Sequence, residues 1–401
     1  YTQGRGFFEQ YKEDESFAEY GFEEIVVNGI TINETDLIRR RWLDNDFYVI
    51  NLNANYKKNN LDMDFGAFLG VYDGDHFGEI IWAQYASNSQ IRDRYYENNG
   101  QKTDFNIFMK VNYSITKQLI GFADMQFRRV SYNVSGVDND QQYMFYDVDY
   151  NFYNPKVGLT YLLTKQNKVY TSFAMANREP TRNDFIDNDK TPSHEKLYNL
   201  ELGYEHKGKS LRFSTNYYYM YYKDQLVLNG ALNDVGSAVR INVDQSYRMG
   251  IESAMGWDLA NVLSFDANAT WSINEINSFI DENGVEHDKT KIAYSPQWIG
   301  GIQFGLNPFK GFSFSISNKF VGKQFLDNTT NNNLSLEKYR QSDIRFAYKV
   351  DTETLKDIEF TLLLNNFTNR DIVSNAYVYA GEAYFFPQAK FNFMAGVNFK
   401  F

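Results

Sequence analysis

Leu263-Ser264-Phe265-Asp266-Ala267-Asn268-Ala269-Thr270-Trp271-Ser272-Ile273 alternates without a break. Every odd position is apolar and every even one polar. That is the period of a β-strand with one apolar face and one wet face. Strands in soluble proteins run about 5–6 residues. A strand that crosses a bilayer at a tilt needs about 9–11. This run is long enough to cross.

The pattern recurs along the chain. Leu61, Met63, Phe65, Ala67, Leu69 and Val71 alternate with Asp62, Asp64 and Gly66 in their part of it. Phe105, Ile107, Met109, Val111, Tyr113 and Ile115 share a phase, as do Leu211, Phe213, Thr215, Tyr217, Tyr219 and Tyr221. Phe312, Phe314 and Ile316 alternate with Ser313, Ser315 and Ser317. The last run, Phe391, Phe393, Ala395, Val397, Phe399 and Phe401, ends the chain on an aromatic residue.

Composition agrees. The 401 residues include 31 Tyr and 34 Phe, no Cys, and a formal charge of -11. No stretch of about 18 apolar residues exists, so the apolar groups are spread through a fine pattern and no transmembrane helix is encoded. A bilayer is otherwise spanned only by a closed barrel, in which every backbone group is paired. The acidic balance argues against nucleic acid as a partner, and the absence of Cys excludes disulfides and thiolate metal sites.

The reading predicts about 16 antiparallel strands, near 1–12, 41–57, 60–71, 101–115, 118–134, 150–164, 167–178, 196–206, 209–228, 240–258, 261–275, 290–307, 311–326, 335–350, 358–371 and 386–401. Short connections, such as Lys57-Lys58-Asn59, Thr116-Lys117, Lys165-Gln166 and Lys207-Gly208-Lys209, alternate with long ones near 13–40, 72–100, 135–149, 179–195, 229–239, 276–289, 327–334 and 372–385. Short periplasmic turns and long extracellular loops are the asymmetry of an outer-membrane barrel. The expected fold is therefore all-β: a transmembrane antiparallel β-barrel over 1–401.

The residues also carry a resemblance. Tyr170-Thr171-Ser172-Phe173-Ala174-Met175-Ala176-Asn177-Arg178-Glu179-Pro180, a loop running through Arg182, and then a strand with Tyr198-Asn199-Leu200-Glu201-Leu202-Gly203-Tyr204 are similar to a stretch of the TonB-dependent outer-membrane receptors that take up ferric siderophores. Arg39-Arg40-Arg41-Trp42 and Tyr72-Asp73-Gly74-Asp75-His76 look familial as well. The resemblance implies a 22-stranded barrel around a plug, of which this chain supplies the C-terminal barrel part without the plug. It implies energised uptake of an iron chelate at the bacterial outer membrane. The partners it implies are the inner-membrane protein TonB, lipid and lipopolysaccharide, and the barrel-assembly machinery, which reads the terminal Phe399 and Phe401. A passive porin, or a receptor for haem, cobalamin or a glycan, fits the same architecture.

Parity assigns faces to charged residues. Tyr48, Ile50, Leu52, Ala54 and Tyr56 share the lipid phase, so Trp42 and Arg40 face out, with Arg40 placed to meet lipopolysaccharide, while Arg39 and Arg41 face in. Val169, Phe173 and Met175 face out, so Arg178 faces in. With the resemblance, Arg39, Arg41, Arg178 and Arg182 are the candidate ligand contacts at the mouth, since guanidinium forks suit anionic oxygens. The competing reading is that each pairs with a carboxylate of the wall or with a plug. Asp73-Gly74-Asp75-His76 reads as a solvated turn in preference to a cation site. The four histidines, His76, His194, His206 and His287, form no metal motif, and His194 carries a weak case for haem. No nucleophile–base spacing, phosphate loop or zinc motif occurs, so neither an enzyme nor a cofactor is expected.

Overall fold

The computed structural model describes residues 1–401 except 187, 189–190, 233–235, 261, 282–283, 351–355 and 401, and the side chains of 230 and 231. In chain order the strands are β1 (Thr2–Ser16), β2 (Ile25–Val27), β3 (Ile30–Ile32), β4 (Glu34–Lys58), β5 (Leu61–Ala83), β6 (Arg94–Ser114), β7 (Leu119–Val137) and β8 (Tyr143–Leu162). They continue with β9 (Asn167–Arg178), β10 (Glu195–Lys207), β11 (Leu211–Leu232), β12 (Ala238–Leu259), β13 (Leu263–Ile280), β14 (Glu286–Lys291), β15 (Trp298–Leu306) and β16 (Phe312–Val321). The rest are β17 (Gln324–Phe325), β18 (Ser335–Leu336), β19 (Tyr339–Val350), β20 (Asp357–Asn365), β21 (Val373–Tyr379), β22 (Glu382–Pro387) and β23 (Asn392–Lys400). One short helix, α1 (Arg182–Ile186), lies between β9 and β10.

Seventeen strands share one sheet, and β2–β3, β17–β18 and β21–β22 are separate two-stranded hairpins in long connections. Both β14 and β15 pair with β13, so they fill a single place in the sheet. That leaves sixteen places, each matching one strand expected from the alternation. No helix among the described residues is long and apolar enough to cross a membrane.

The chain divides into two compact units, Tyr1–Val111 with Asp124–Asn154, and Asn112–Ala123 with Pro155–Phe401. In the second, register carries the alternation from strand to strand. Trp257 lies opposite Phe265, Phe265 opposite Phe304, Phe304 opposite Ile316, Ile316 opposite Ile344, Ile344 opposite Leu364, and Leu364 opposite Phe393. Directly opposed residues share a face. One residue along, Asp266, Gln303, Ser317 and Asp343 form the matching polar row. A slip of one residue in any pair would exchange the faces, so the pattern itself fixes register.

In the first unit β4 pairs with β1 and β5. Its apolar row is open to the surroundings, with Ile50 60% and Leu52 63% exposed. An apolar row left outside on purpose is what a lipid-facing strand shows. Asn59 turns the chain between β4 and β5 with φ 51, a left-handed conformation that Asn tolerates.

The structure revises the long connections. β5 runs to Ala83 and β6 starts at Arg94, so most of the expected 72–100 loop is ladder. Asp73, Gly74, Asp75 and His76 pair with Asp46, Asn45, Asp44 and Leu43, so that stretch is strand and not a turn. The alternation fades there because a strand that has left the lipid needs no apolar face. The long connections also hold small cores of their own. One gathers Phe17, Tyr20, Phe22, Leu37, Ile80, Tyr95 and Tyr96, and another Leu326, Leu334, Leu336 and Ala376.

Candidate ligand-binding site on the inner face

On β12, Tyr247, Met249 and Ile251 take the outer, apolar phase, which turns Arg248 to the polar inner face. It stands in a row with Asn199, Met220 and Asn274. The Arg248 Nη1 donates to Ser295 Oγ at 2.9 Å and to Asn274 Oδ1 at 3.3 Å. Among the described residues no carboxylate bonds it directly. Tyr222 is close enough to feel the fields of Arg248, Glu195 and Arg178 together.

Arg178 ends β9 and meets Glu195, the first residue of β10, through two forks: Nε to Oε1 at 3.1 Å and Nη2 to Oε2 at 3.2 Å. Glu195 also accepts the Leu226 backbone N–H. Two guanidiniums, Arg178 and Arg248, thus share the field of Glu195 beside the phenols of Tyr218 and Tyr222, and a second carboxylate, Glu252, acts on Tyr218. Such a place suits an anionic group that brings its own oxygens.

Pro180 is buried after Arg178, and Arg182 opens α1. Asp184 in α1 accepts the Thr181 N–H and hydroxyl and lies 3.6 Å from Arg240 of β12. The Arg178-Glu179-Pro180 stretch therefore ends a strand and docks a loop, and Arg182 belongs to that loop. His194, on the same connection, has its imidazolium disfavoured by burial and by Lys196. In the connection 322–338, burial pushes the Asp327 carboxyl above its ordinary range, against two hydrogen bonds from Thr329 that favour its charge.

In the first unit Arg39 is only 5% exposed. It donates Nε and Nη2 to Gln10 Oε1 at 3.0 and 2.8 Å, and Nη1 to Asn139 Oδ1 at 3.2 Å and Tyr20 OH at 3.4 Å. The Tyr20 hydroxyl in turn donates to Glu15 Oε2 at 2.6 Å. Arg39 is thus enclosed by the segment 17–22 and the connection 138–142. Arg41 lies half-buried with its guanidinium carbon 5.8 Å from the rings of Phe8 and Tyr96.

On the outer face Arg40 is held by Glu9 at 2.5 Å and lies 4.0 Å from Glu79, with its guanidinium 4.1 Å above the Phe7 ring. Trp42 packs between Phe7 and Phe77 and donates to Glu79. Asn99 bridges Asp73 and Asp75 at 2.7 and 2.8 Å, and no group able to hold a metal occurs among the described residues. His206 meets Asn167 beside a short turn, and His287 meets Asp281. Phe399 is on the outer face opposite Ile358, while Phe401 lies outside the described residues.

Of the residues singled out from sequence, the structure gathers Arg178 with Glu195, sets Arg39 and Arg41 about the Tyr95–Tyr96 pair, and puts Arg182 at the start of α1. Arg248 was missed. The signal that finds it is the phase of Tyr247, Met249 and Ile251.

Comparison with solved structures finds import receptors and transporters of the same fold. The ferric-catecholate import receptor Fiu of E. coli K12 superposes with a TM-score of 0.62 at 15% identity, over 92% of this chain and 56% of that one. The unliganded ferric citrate transporter FecA gives 0.68 at 14%, over 91% and 55%. The copper transporter OprC gives 0.67 at 13%, over 93% and 58%. At such identities the likeness shows the fold, and their different cargoes show that the fold does not choose one. The chain spans little more than half the length of these structures. No curated protein matches it. The model of the TonB-dependent receptor-like β-barrel matches residues 3–397, and the chain belongs to that family.

Proposed function

We propose that the chain, taken over 1–401 as one barrel segment, is the wall of an outer-membrane receptor for energised uptake of a ferric siderophore. It is a transport protein and not an enzyme. The complete receptor would draw energy from TonB, and the assembly machinery would read the last strand through Phe399 and Phe401. The observation that carries the ligand reading is Arg248, an inner-face arginine whose hydrogen-bond partners among the described residues are neutral, beside the Arg178–Glu195 pair. Ferric catecholate and citrate complexes are anionic and present oxygens that a guanidinium fork accepts. Arg41 and Arg182 are candidate contacts at the mouth. Arg39, already enclosed, serves the architecture.

The test separates charge from shape. Ferric complexes of a catecholate, of citrate and of a neutral hydroxamate are titrated against the purified protein and Arg248→Met, read by intrinsic fluorescence. The substitution is expected to weaken the anionic chelates about 10–100-fold, the weight of a charge-assisted hydrogen bond. The hydroxamate complex should change little. Equal loss for all three, or no loss, removes Arg248 from the site. Ion conductance through the protein in planar bilayers, unblocked by any chelate, would favour a porin instead.

A further inference from the structure

The short turns of the second unit share one edge, and backbone bonds tie each to the hairpin beside it. Leu162 N–H donates to the Gln118 carbonyl at 2.8 Å, Lys207 to Gln166 at 2.8 Å, Asp258 to Ser210 at 2.8 Å, and Asn307 to Val262 at 2.7 Å. The turns β6–β7, β8–β9, β10–β11, β12–β13 and β15–β16 therefore stand side by side. Their residues, 115–118, 163–167, 207–211, 259–263 and 306–312, include Lys117, Lys165, Lys207, Lys209 and Lys310 and no Asp or Glu. In a chain with a formal charge of -11, this edge is basic.

The pairing and the level of these lysines narrow what they meet. Lys207 is held by Glu205 at 2.7 Å. Lys117, Lys165 and Lys209 are exposed and have no carboxylate partner among the described residues. Each lies two residues from an exposed apolar residue of the outer phase: Ile115, Leu163 and Leu211. Tyr161, also outward, donates its hydroxyl to Gln118 Oε1 at 3.4 Å. The apolar face ends here, at the level where amphipathic rings and lysine stems reach from lipid chains into the headgroups. A soluble acidic partner would have no use for the apolar residues beside each lysine.

Next to Lys209 the outer face is hollow. Leu211 lies opposite Trp257, Trp257 opposite Phe265, and Phe265 opposite Phe304. Trp257, Phe265 and Phe304 line an open cavity of about 310 Å³ with Leu259 and Leu263, and Ser264 is the one polar residue in it. A groove of this character suits an acyl chain, and a chain lying in it brings its phosphate to the turns. A zwitterionic lipid carries its own ammonium there and gains little from the lysines; an anionic lipid gains a charge that nothing in the turns opposes.

We propose that this edge is a binding site selective for anionic phospholipid. The headgroups rest on the row Lys117, Lys165 and Lys209, and an acyl chain of the lipid nearest Lys209 lies in the Trp257 groove. Short turns mark the periplasmic end of an outer-membrane barrel, so the site selects among phospholipids and is separate from lipopolysaccharide. It goes beyond the reading as a ferric-chelate receptor and does not depend on the cargo.

The test uses the full 401-residue chain in phosphatidylcholine vesicles doped with a minor fraction of bromine-labelled phosphatidylglycerol or, in parallel, bromine-labelled phosphatidylcholine. Tryptophan quenching reports which lipid gathers at the protein. Phosphatidylglycerol should be preferred about fivefold for each lysine engaged, and the preference should shrink as salt is added. Lys117→Gln with Lys165→Gln and Lys209→Gln should bring the two lipids level, while arginine at the same positions should keep the preference. Lys323→Gln with Lys338→Gln and Lys390→Gln, an equal loss of charge from the long connections, should leave it intact. Trp257→Phe should remove the excess quenching by phosphatidylglycerol, and the chainless headgroup glycerophosphoglycerol should not compete. No preference in the parent, or a preference that survives in the glutamine variant of the turns, overturns the proposal. So does an equal loss in the variant of the long connections, excess quenching that persists without Trp257, or full competition by the chainless headgroup, which would make the edge a site for free phosphate esters.

Discussion

Leu52 and Asn53 are neighbours in β4 that meet different solvents if the face assignment is right. Leu52 lies opposite Ala67, and Asn53 opposite Gly66. A strand rises about 3.3 Å per residue, and at a tilt of about 40° that is about 2.5 Å along the bilayer normal. The outer row from Tyr48 to Tyr56 then spans about 20 Å of an apolar band about 25 Å tall. Leu52 sits at its middle, about 10 Å from the aromatic residue at either end. An arginine there is as far from both headgroup layers as this strand allows. Leu52→Arg should cost about 2–4 kcal/mol. Asn53→Arg, on the wet inner face, should stay within about 0.5 kcal/mol, as surface substitutions do. Phe265 supplies the depth control. It is two residues from the start of β13, beside a short turn, so Phe265→Lys should cost only about 0–1 kcal/mol. The assay is reversible folding into phospholipid vesicles along a denaturant series, followed by tryptophan emission. Equal losses at Leu52 and Asn53 would refute the two-faced reading. A larger loss at Asn53 would reverse the faces. A loss at Phe265 as large as at Leu52 would move the bilayer boundary.

Arg39→Met removes the donors that tie Gln10, Tyr20 and Asn139 together; Gln10 Oε1 and the buried Tyr20 hydroxyl lose their guanidinium partner, while Asn139 Oδ1 keeps the Tyr95 hydroxyl. It should cost about 1–3 kcal/mol of local stability, read as lost amide-exchange protection in 17–22 and 138–142 with the rest of β4 unchanged; unchanged protection in both segments would show that Arg39 is not their anchor. His194 is disfavoured as a cation by burial and by Lys196, so its folded-state pKa lies below the ordinary histidine value. Both open and closed loops are neutral at high pH and there is no effect, but as pH falls through the ordinary value the open loop takes up the proton first and closure weakens. Exchange protection around 191–196 should drop between about pH 7.5 and 5.5, and His194→Gln should abolish the change; a drop that persists in the variant would assign it to another group.

How much of this was legible in the sequence follows from where lipid imposes a pattern. Between Tyr48 and Tyr56 one face must be apolar, so period and phase are both written in the residues. Above that level both faces are wet, and Asp73 and Asp75 sit on β5 without announcing it. β4 therefore runs over 25 residues where the alternation showed 41–57. The hairpins β2–β3 and β17–β18 have strands of three and two residues, too short for any period. The candidate site divides in the same way. Parity is local and turns Arg248 inward, although the motif resemblance pointed elsewhere. The enclosure of Arg39 depends on segments about twenty and one hundred residues away in the chain, and no spacing rule reaches that far.

Arginines alone do not mark where a ligand binds, and the two faces of this wall show why. On the outer face Arg5, Arg40 and Arg94 each stand over an aromatic ring, Trp42, Phe7 and Phe77, and each pairs with a carboxylate, Asp44, Glu9 and Glu97. Their charge is answered within the chain, and Asp46, Asp73 and Asp75 beside them add negative charge. A lipopolysaccharide phosphate arriving there would compete with carboxylates already in place, so Arg40 is a weak anchor for it. Arg248 has no such carboxylate, and any anion that reaches it gains a hydrogen-bonded charge without displacing another. On the inner face Arg178, Arg212 and Arg345 are paired as well, with Glu195, Asp258 and Glu359, so Arg248 stands apart from the arginines of both faces. Under the proposed function, cohesion of the strands falls to the paired arginines, and recognition of the chelate to Arg248.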